Sequence, residues 1–520
     1  MIDGQKHSTR KTVFARFARS EDGGMIALGL IFFTLMVMMG GLAVDLMRYE
    51  AVRTQLQQTS DRAALAAASL RQKRTPASVV EDYFAKAGLS EYLQSVTPLV
   101  TLNAKSVDIV ARAEVHPFFM PMLGIDEMTA PANSGAMERI TDVEISLVLD
   151  ISGSMENNNR MENIQTAAGA FVADVINNNE ANRTTVSIIP YSGHVNLGAD
   201  LASKFNITST HSDSYCVDLP STAFSSIHVA RTTPLVQASH FDPYSGTSTR
   251  TASRWFCPTG GNTILPLSDS VEDLQGRINA MVPTENTSID LGVKWGAALL
   301  SPQVQGIVSG THANRPFDPA VREVLKVLVV MTDGDNTTQH IMNTAYKGTG
   351  LSNIWRDNST GALAAYINRS STSNDYYWNT SGSTWGWTAN PFDKTTGTTR
   401  LTWDQVWQYA TLNYVADRLY AKARESAGFT SNITSSYWTG QFRSTSGTST
   451  KNTRLQSICT AAKTAGITIF GISFEAGTAG QTQIRNCSTP GNFHNVVGAP
   501  ELSSAFTAIA SQINHLRLTQ

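Results

Sequence analysis

Three oxygen-bearing side chains lie at alternate positions of one short stretch, at Asp150, Ser152 and Ser154. In a tight loop this spacing can bring the three side chains to one point. Carboxylate and hydroxyl oxygens are hard ligands, which Mg²⁺, Mn²⁺ and Ca²⁺ prefer to nitrogen or sulfur. The stretch therefore predicts a divalent-cation site, with Mg²⁺ as the first choice of metal. Its alternative is an ordinary turn, in which serine and aspartate are also common.

Two more oxygen groups stand at comparable positions farther along the chain. Asp333 closes a second apolar run, as Asp150 closes the first, and Thr287 stands just before a predicted helix. Ligands of an open α/β sheet gather at the carboxyl ends of its strands, so groups from three separate loops can meet there. The predicted metal ligands are Asp150, Ser152, Ser154, Thr287 and Asp333.

Apolar runs alternate with amphipathic helical stretches from about residue 140 to the end of the chain. This alternation predicts an α/β fold, a doubly wound and mainly parallel sheet with right-handed crossovers. The predicted strands are Val143–Asp150, Thr185–Tyr191, Val324–Met331 and Ile467–Ile472. The predicted helices are Glu162–Asn177, Asp269–Met281, Ile289–Leu300, Thr453–Ala465 and Glu501–Leu518.

These motifs, in this order, resemble the von Willebrand factor type A domain and its metal-ion-dependent adhesion site. Asp150, Ser152 and Ser154 match the Asp-x-Ser-x-Ser motif, Thr287 the threonine of the second loop and Asp333 the aspartate of the Thr-Asp-Gly loop. The resemblance implies that the serines and the threonine contact the metal directly, while the aspartates act through water. It also implies an open metal position for an acidic side chain of a protein partner.

The sequence departs from that family at the threonine loop, which lacks the usual glycine pair, and three extra acids lie nearby. We expect Glu285 to face solvent, with approach to the metal as the alternative, Asp290 to lie at a helix end and Asp335 to lie in a loop. Neither a His-Glu-x-x-His motif, nor a Walker-type loop, nor a Gly-x-Ser-x-Gly elbow accompanies the Asp150 loop. We therefore predict a binding protein and not an enzyme.

A run without charged residues extends from Met25 to Val44 and follows a basic tail at 1–24. As a helix, about 20 residues span about 30 Å, the thickness of a bilayer core, and a signal peptide has a shorter apolar region. We predict a single transmembrane helix at 25–44. Gly40 and Gly41 are interpreted as glycines of the kind common in membrane helices, and the alternative is that they permit close helix contact or a bend. The polar remainder and the cysteines after the span favour a cytoplasmic N-terminus and a periplasmic bulk, anchored in the inner membrane.

The residues around this span resemble the N-terminal segment of TadG-type Flp (tight adherence) pilus-assembly proteins. The matching parts are the stretch 17–24, the span, the Val-Asp-x-x-Arg of 44–48 and the Leu-Gln-x-x-x-Asp-x-Ala-Ala-Leu-Ala of 56–66. The resemblance implies contacts with other pilus-assembly components. The glutamate needed five residues after Gly24 for prepilin-type processing is absent, so we predict no such cleavage.

The region 45–139 is predicted to continue the helix to about Lys73 and then to form a small α+β stalk module. Alternating apolar residues from Leu99 to Ala113 predict a half-buried strand. Six apolar residues are expected to form a small hydrophobic cluster beside it: Phe118, Phe119, Met120, Met122, Leu123 and Ile125. The alanine residues of 63–68 lie on one helix face, which predicts tight packing against a partner helix. The alternative is that alanine is present only because it favours helix formation.

The domain from 140 to 520 is interrupted by two predicted inserts, at about 196–268 and 338–451, both rich in Ser, Thr, Asn and Gly. The tryptophans and tyrosines of the second are expected to form small cores, with a recognition surface as the alternative. The spacing of the four cysteines favours the disulfides Cys216–Cys257 and Cys459–Cys487 among three possible pairings, and disfavours zinc.

The formal net charge of -2 gives no basic surface for nucleic acid. Together, the resemblances imply a membrane-anchored component of Flp-type pilus assembly that binds a protein partner through a divalent cation. The alternative is a metal-dependent adhesin or envelope scaffold with no link to pili.

Overall fold

The computed structural model describes residues 22–69, 72, 74–100, 104–139, 142–177, 181–321, 323–369 and 373–519. The chain divides into two compact units, Met1–Ile140 and Thr141–Gln520. Residues 1–21, which make up most of the predicted basic tail at 1–24 and most of the stretch 17–24, lie outside the described residues.

The first unit is built on one long helix, α1, Asp22–Ala68. It contains a stretch apolar and long enough to cross a membrane, judged by length and composition. The described helix ends at Ala68, short of the predicted Lys73. A second helix, α2 (Pro76–Ala87), ends at Gly88, whose φ of 70° provides a left-handed cap.

Three antiparallel strands complete the first unit, β1 (Leu93–Val100), β2 (Ala104–Val115) and β3 (Met128–Arg139). The C-terminal half of α1 packs its small side chains into the core of this unit. The alanine face therefore packs against α2 and the sheet of the same chain. The buried members of that face are Ala63, Ala64, Ala67 and Ala68. Small side chains let α1 approach α2 and the sheet closely.

The predicted hydrophobic cluster between β2 and β3 is wrong. Phe118 is 71% exposed and Met122 69%, while Leu123 and Ile125 are exposed at 52% and 44%. These side chains are exposed because the backbone of the loop is bound to α1 between Gly41 and Arg48. In that position the side chains point away from the core of the unit.

The second unit contains a six-stranded sheet that positions the candidate site. Its strands in chain order are β4 (Asp142–Asp150), β5 (Thr184–Tyr191), β6 (Leu265–Ser268), β7 (Val324–Thr332), β8 (Thr468–Phe474) and β9 (Phe493–Val496). Their spatial order is β9-β8-β7-β4-β5-β6, and every neighbouring pair is parallel except β5 with β6. Because β4 and β7 are neighbours in the sheet and run parallel, their carboxyl ends lie side by side.

Six helices cover both faces of that sheet. Helices α3 (Arg160–Asn177), α4 (Val271–Asn279) and α8 (Ala499–Thr519) contribute to the core on one face. Helices α5 (Ile289–Ala298), α6 (Thr448–Thr464) and α7 (Thr478–Cys487) contribute to the core on the other. A mainly parallel sheet is thus correct for this part of the unit, while the inserts carry separate sheets of their own.

The first insert holds short elements, and Leu265–Ser268, at its predicted end of about 268, forms the edge strand β6. Its elements are Ala199–Ala202, Ile207–Thr208, Val217–Asp218, Ser221–Ser225 and Leu235–Gln237. Ile207–Thr208, Val217–Asp218 and Leu235–Gln237 pair into a three-stranded sheet.

The second insert is a folded subdomain with an antiparallel five-stranded sheet. Its strands are Leu351–Asp357, Leu363–Tyr366, Tyr376–Ser381, Thr384–Thr388 and Thr398–Thr402. Its helical segments are Trp403–Tyr409, Leu412–Tyr414, Val415–Ala421, Lys422–Ser426 and Ser435–Phe442. Gln339–Met342 and Arg443–Ser446 pair where the chain enters and leaves it. Trp403, Trp407 and Phe442 are buried together, so these aromatic residues form a core.

Two disulfides join the four cysteines, Cys216 to Cys257 and Cys459 to Cys487. Cys459 lies in α6, and Cys487 is the last residue of α7. The second disulfide therefore ties α6 to α7 on one face of the sheet.

Replacing both Cys459 and Cys487 with alanine is expected to lower the free energy of unfolding by about 3–4 kcal/mol, because the bond closes a loop with a sequence separation of 28. Guanidinium unfolding of the full chain in detergent measures this loss. Wild type and variant should become more alike under reducing conditions. A variant as stable as the oxidised wild type would contradict the expectation.

Candidate metal centre

The candidate centre lies where two neighbouring parallel strands end. Leu149 in β4 is in register with Met331 in β7, so Asp150 and Asp333 leave the sheet at the same edge. Asp150 is fully buried, and its Oδ1 accepts the Ser152 N–H at 2.8 Å. This bond closes the loop that carries both serines.

Ser152, Ser154 and Asp333 meet through their side chains. The Ser154 hydroxyl donates to Asp333 Oδ1 at 2.8 Å, and the Ser152 hydroxyl lies 3.2 Å from that of Ser154. Ser152 Oγ also reaches the same carboxylate oxygen, at 3.5 Å. Four of the five residues predicted from the sequence thus lie in one hydrogen-bonded group, the oxygen cluster, which Asp150 joins through the Ser152 N–H and the other three through their side chains.

The backbone of Thr287 is held to the loop that follows β7. Its N–H donates to Thr337 Oγ1 at 2.8 Å, and its carbonyl accepts the Thr337 N–H at 3.0 Å. The Gly153 N–H donates to the Glu285 carbonyl at 2.8 Å, which ties the threonine loop to the serine loop. Within the part of the chain that the structure describes, no hydrogen bond joins the Thr287 side chain to the other four predicted ligands.

Asp150 and Asp333 repel each other in a buried setting. Burial is the main reason that the pKa of Asp150 rises to about 7, and the negative charge of Asp333 raises it further. Hydrogen bonds from Ser152 and Thr332 act in the opposite direction. Two crowded carboxylates with hydroxyls around them fit a hard divalent cation, whose charge would offset the repulsion.

The donor set consists of hydroxyls and two carboxylates. Among the described residues, no group of three or more His, Cys, Asp and Glu side chains could hold a metal ion. A centre at this edge therefore depends on Ser152, Ser154 and Thr287 as neutral oxygen donors, which the hardness of Mg²⁺ or Mn²⁺ accepts.

Arg160 is a residue of this site that the sequence did not reveal. Its Nη1 donates to Asp333 Oδ2 at 2.9 Å, and its Nε donates to Glu475 Oε2 at the same distance. The guanidinium therefore fixes the Asp333 oxygen that the serines leave free. Arg160 and Glu475 are 315 positions apart, and no local pattern predicts their pairing.

Lys451 is a second residue that the sequence did not reveal. Its buried Nζ donates to the Thr287 carbonyl and the Ser288 hydroxyl at 2.6 Å, and to the Thr337 carbonyl at 2.7 Å. Burial lowers the pKa of Lys451 to about 8, while nearby Asp290 opposes that shift. Lys451 joins the threonine loop to the loop after β7.

The three extra acids have different environments. Glu285 forms a two-pronged ion pair with Arg254, at 2.6 and 2.7 Å, so the expectation that it simply faces solvent is wrong. Asp290 lies in the first turn of α5 as expected, but fully buried, and burial raises its pKa. Asp335 is exposed in its loop.

The first insert borders the candidate centre. A cleft of about 640 Å³ lies beside Ser154 and is lined in part by Arg254, Trp255, Val282 and Glu285. Val282 is 60% exposed. Polar, charged and apolar residues therefore line an opening next to the serine loop.

The N-terminal segment matches a known family. Residues 23–70 match the Tad family model, described as Flp pilus-assembly TadE/G-like. This match confirms the predicted resemblance over the long apolar helix, and it supports a pilus-related role. No curated protein matches the sequence.

Solved structures similar to this chain include domains of pilus proteins. The vWF domain of the type V pili tip protein Mfa5 from Porphyromonas gingivalis has 14% identity and a TM-score of 0.32, covering 72% of this chain and 96% of that one. The PilB minor pilin from Streptococcus sanguinis has 11% identity and a TM-score of 0.31, covering 81% and 77%. Proximal thread matrix protein 1 from the mussel byssus, solved with a zinc-occupied MIDAS motif, has 11% identity and a TM-score of 0.28, covering 71% and 47%.

Proposed function

We propose that this protein is a membrane-anchored component of Flp-type pilus assembly that binds a protein partner through a divalent cation. The observation that carries the proposal is the contact of Ser154 with Asp333 at 2.8 Å, at the shared carboxyl edge of two parallel strands, on a chain with a TadE/G-like anchor segment. Its role is binding and assembly, without an enzymatic step.

Ser152, Ser154 and Thr287 would hold the cation directly, and Asp150 and Asp333 would hold it through water. The bound cation would supply an electrophilic position for an acidic side chain of the partner, since neutral ligands leave its charge largely uncompensated. Arg160 keeps the Asp333 carboxylate oriented, because it occupies the oxygen that does not accept from Ser154. Lys451 holds the Thr287 loop in place.

We further propose a domain arrangement that fits this role. A basic tail at 1–24 lies in the cytoplasm, a helix at 25–44 crosses the inner membrane, and a stalk at 45–139 leads to a periplasmic von Willebrand factor A-like domain at 140–520. Two disulfides in the second unit support an oxidising compartment for it.

Replacing Asp333 with alanine is expected to abolish piliation in a strain that depends on this protein, because the cation and the Arg160 contact are both lost. Asp335→Ala is the matched control, since this exposed acid lies two residues away and outside the oxygen cluster. Electron microscopy counts the pili, and immunoblots of membrane fractions verify equal protein levels. Normal piliation of the Asp333→Ala strain would contradict the proposal.

A further inference from the structure

A loop rich in apolar residues connects β2 to β3. Four of its side chains are large, apolar and between 44% and 71% exposed: Phe118, Met122, Leu123 and Ile125. Within this loop, the stretch 117–125 contains no charged residue, and Asp126 and Glu127 follow it. Such a patch is costly in water and is typical of a surface that meets an apolar environment.

The loop is fixed to α1 by a buried carboxylate. Asp45 accepts the backbone N–H groups of Phe118, Phe119 and Met120, at 2.8, 2.6 and 2.9 Å. Asp45 is only 1% exposed, so the loop covers the first acidic group after the apolar span. Three charge-assisted bonds make this loop conformation a built feature of the unit.

A glycine and an arginine on the same face of α1 complete the contact. Gly41, Asp45 and Arg48 follow the spacing i, i+4, i+7, which places them on one face. A Cβ at Gly41 would lie 2.4 Å from the Phe119 ring, so only glycine permits this approach. The Arg48 guanidinium lies 4.0 Å from the centre of the Phe118 ring.

The contact lies at the depth where the span ends. A helix rises about 1.5 Å per residue, so Gly41 lies roughly 5 Å before Val44, the last residue of the uncharged run. Phe119 therefore packs at the level of the last turn inside a bilayer core of about 30 Å. The exposed side chains of the loop lie beside that turn, where acyl chains meet headgroups.

We propose that the loop 117–125 enters the membrane interface beside α1, with lipid as the occupant of its apolar face. The inference rests on the proposed membrane-spanning role of α1. Lipid is favoured because the patch continues the exposed apolar surface of the helix from Met25 to Met47. The loop and the helix together form a two-point contact that sets the rotation and tilt of the stalk unit, as interfacial anchors do.

Site-directed spin labelling of the full chain in lipid nanodiscs tests this inference. All four native cysteines are in disulfides, so a single added cysteine can be labelled. Met122→Cys reports on the loop, and Ile31→Cys reports on the span. Met137→Cys is the matched control, because Met137 is the same residue type and is 64% exposed. It lies about 26 Å along β3 from Thr129, which is near the end of the strand that adjoins the loop.

The label at 122 is expected to collide more with oxygen than with a water-soluble nickel chelate, as the label at 31 does, while the label at 137 shows the reverse. A label at 122 that is open to the chelate while 31 lies in lipid would overturn the loop inference alone. A label at 122 hidden from both reagents would indicate a protein partner, such as a second copy, and would overturn it as well. A label at 31 open to the chelate would contradict the anchor itself.

Gly41→Leu is expected to release the loop, which should raise the chelate accessibility at 122 at least severalfold and leave 31 unchanged. Gly29→Leu is the matched control, since a Cβ at Gly29 meets nothing within 4 Å. Unchanged accessibility at 122 in the Gly41→Leu protein, with the span intact, would overturn the role assigned to this contact.

Discussion

Asp150→Asn is expected to abolish the stabilisation of this protein by Mg²⁺ or Mn²⁺ and to raise the stability of the cation-free chain. Asp150 is fully buried beside Asp333, so a neutral amide removes both the desolvation cost and the repulsion. The amide oxygen can still accept the Ser152 N–H. The amide nitrogen would donate to the Thr332 and Tyr191 hydroxyls, which now donate to Asp150 Oδ2 and which have the Gly334 and Met331 carbonyls as other acceptors. The serine loop should therefore keep its shape while the cation loses a carboxylate.

The stabilisation that the variant should lose can be estimated from the thermodynamic linkage between cation binding and folding. A cation at a hundred times its dissociation constant stabilises the folded chain by about 2.7 kcal/mol, and this gain should vanish in the variant. Thermal unfolding with and without each cation measures it, and isothermal titration calorimetry measures binding directly. The gain in cation-free stability should be on the order of 1 kcal/mol.

Asp335→Asn controls for the loss of one negative charge at the same edge. This variant should bind and respond to the cation nearly as the wild type does, because Asp335 is exposed and lies outside the oxygen cluster. A full response to Mg²⁺ and Mn²⁺ in the Asp150→Asn protein would show that the cation binds elsewhere. A cation-free variant less stable than wild type would show that Asp150 is mainly structural.

The edge of the sheet was predictable because its cause is local. Apolar runs that end in Asp150 and just before Asp333 predict strands, and parallel strands bring their carboxyl ends together. The spacing of Ser152 and Ser154 then predicts convergence on one point. The approach of Ser154 to Asp333 follows from these features alone.

The residues that hold the loops were not predictable, because their partners are remote. Lys451 lies 164 positions from Thr287, at a place where the sequence shows only a basic residue near the end of a polar insert. The prediction that the apolar residues around Phe118 form a buried cluster failed for another reason. Apolar residues predict burial inside the protein only when water is the sole other environment. With α1 crossing the membrane as we propose, an exposed apolar side chain beside it has a second apolar environment available.

Lys451→Met is expected to lower the free energy of unfolding by about 3–5 kcal/mol, the usual effect of removing one member of a buried charged pair. Asp290 lies 4.0 Å from Lys451 Nζ and is fully buried, so in the variant it would keep only Arg454, at 3.8 Å, as a positively charged neighbour. The carbonyls of Thr287 and Thr337 would also lose a donor. Lys204→Met, at an exposed lysine, should change stability by less than about 0.5 kcal/mol.

The double variant Lys451→Met/Asp290→Asn separates the charge from the loop contacts. Replacing Asp290 with the neutral asparagine should recover much of the stability, because no buried carboxylate is then left short of positive charge. Cation affinity should stay low, since the Thr287 loop still lacks the ammonium that joins it to Thr337. Denaturant unfolding and calorimetric cation titration measure the two quantities on the same samples. Recovery of both stability and affinity would mean that Lys451 acts only as a counterion to Asp290, and that other contacts position Thr287.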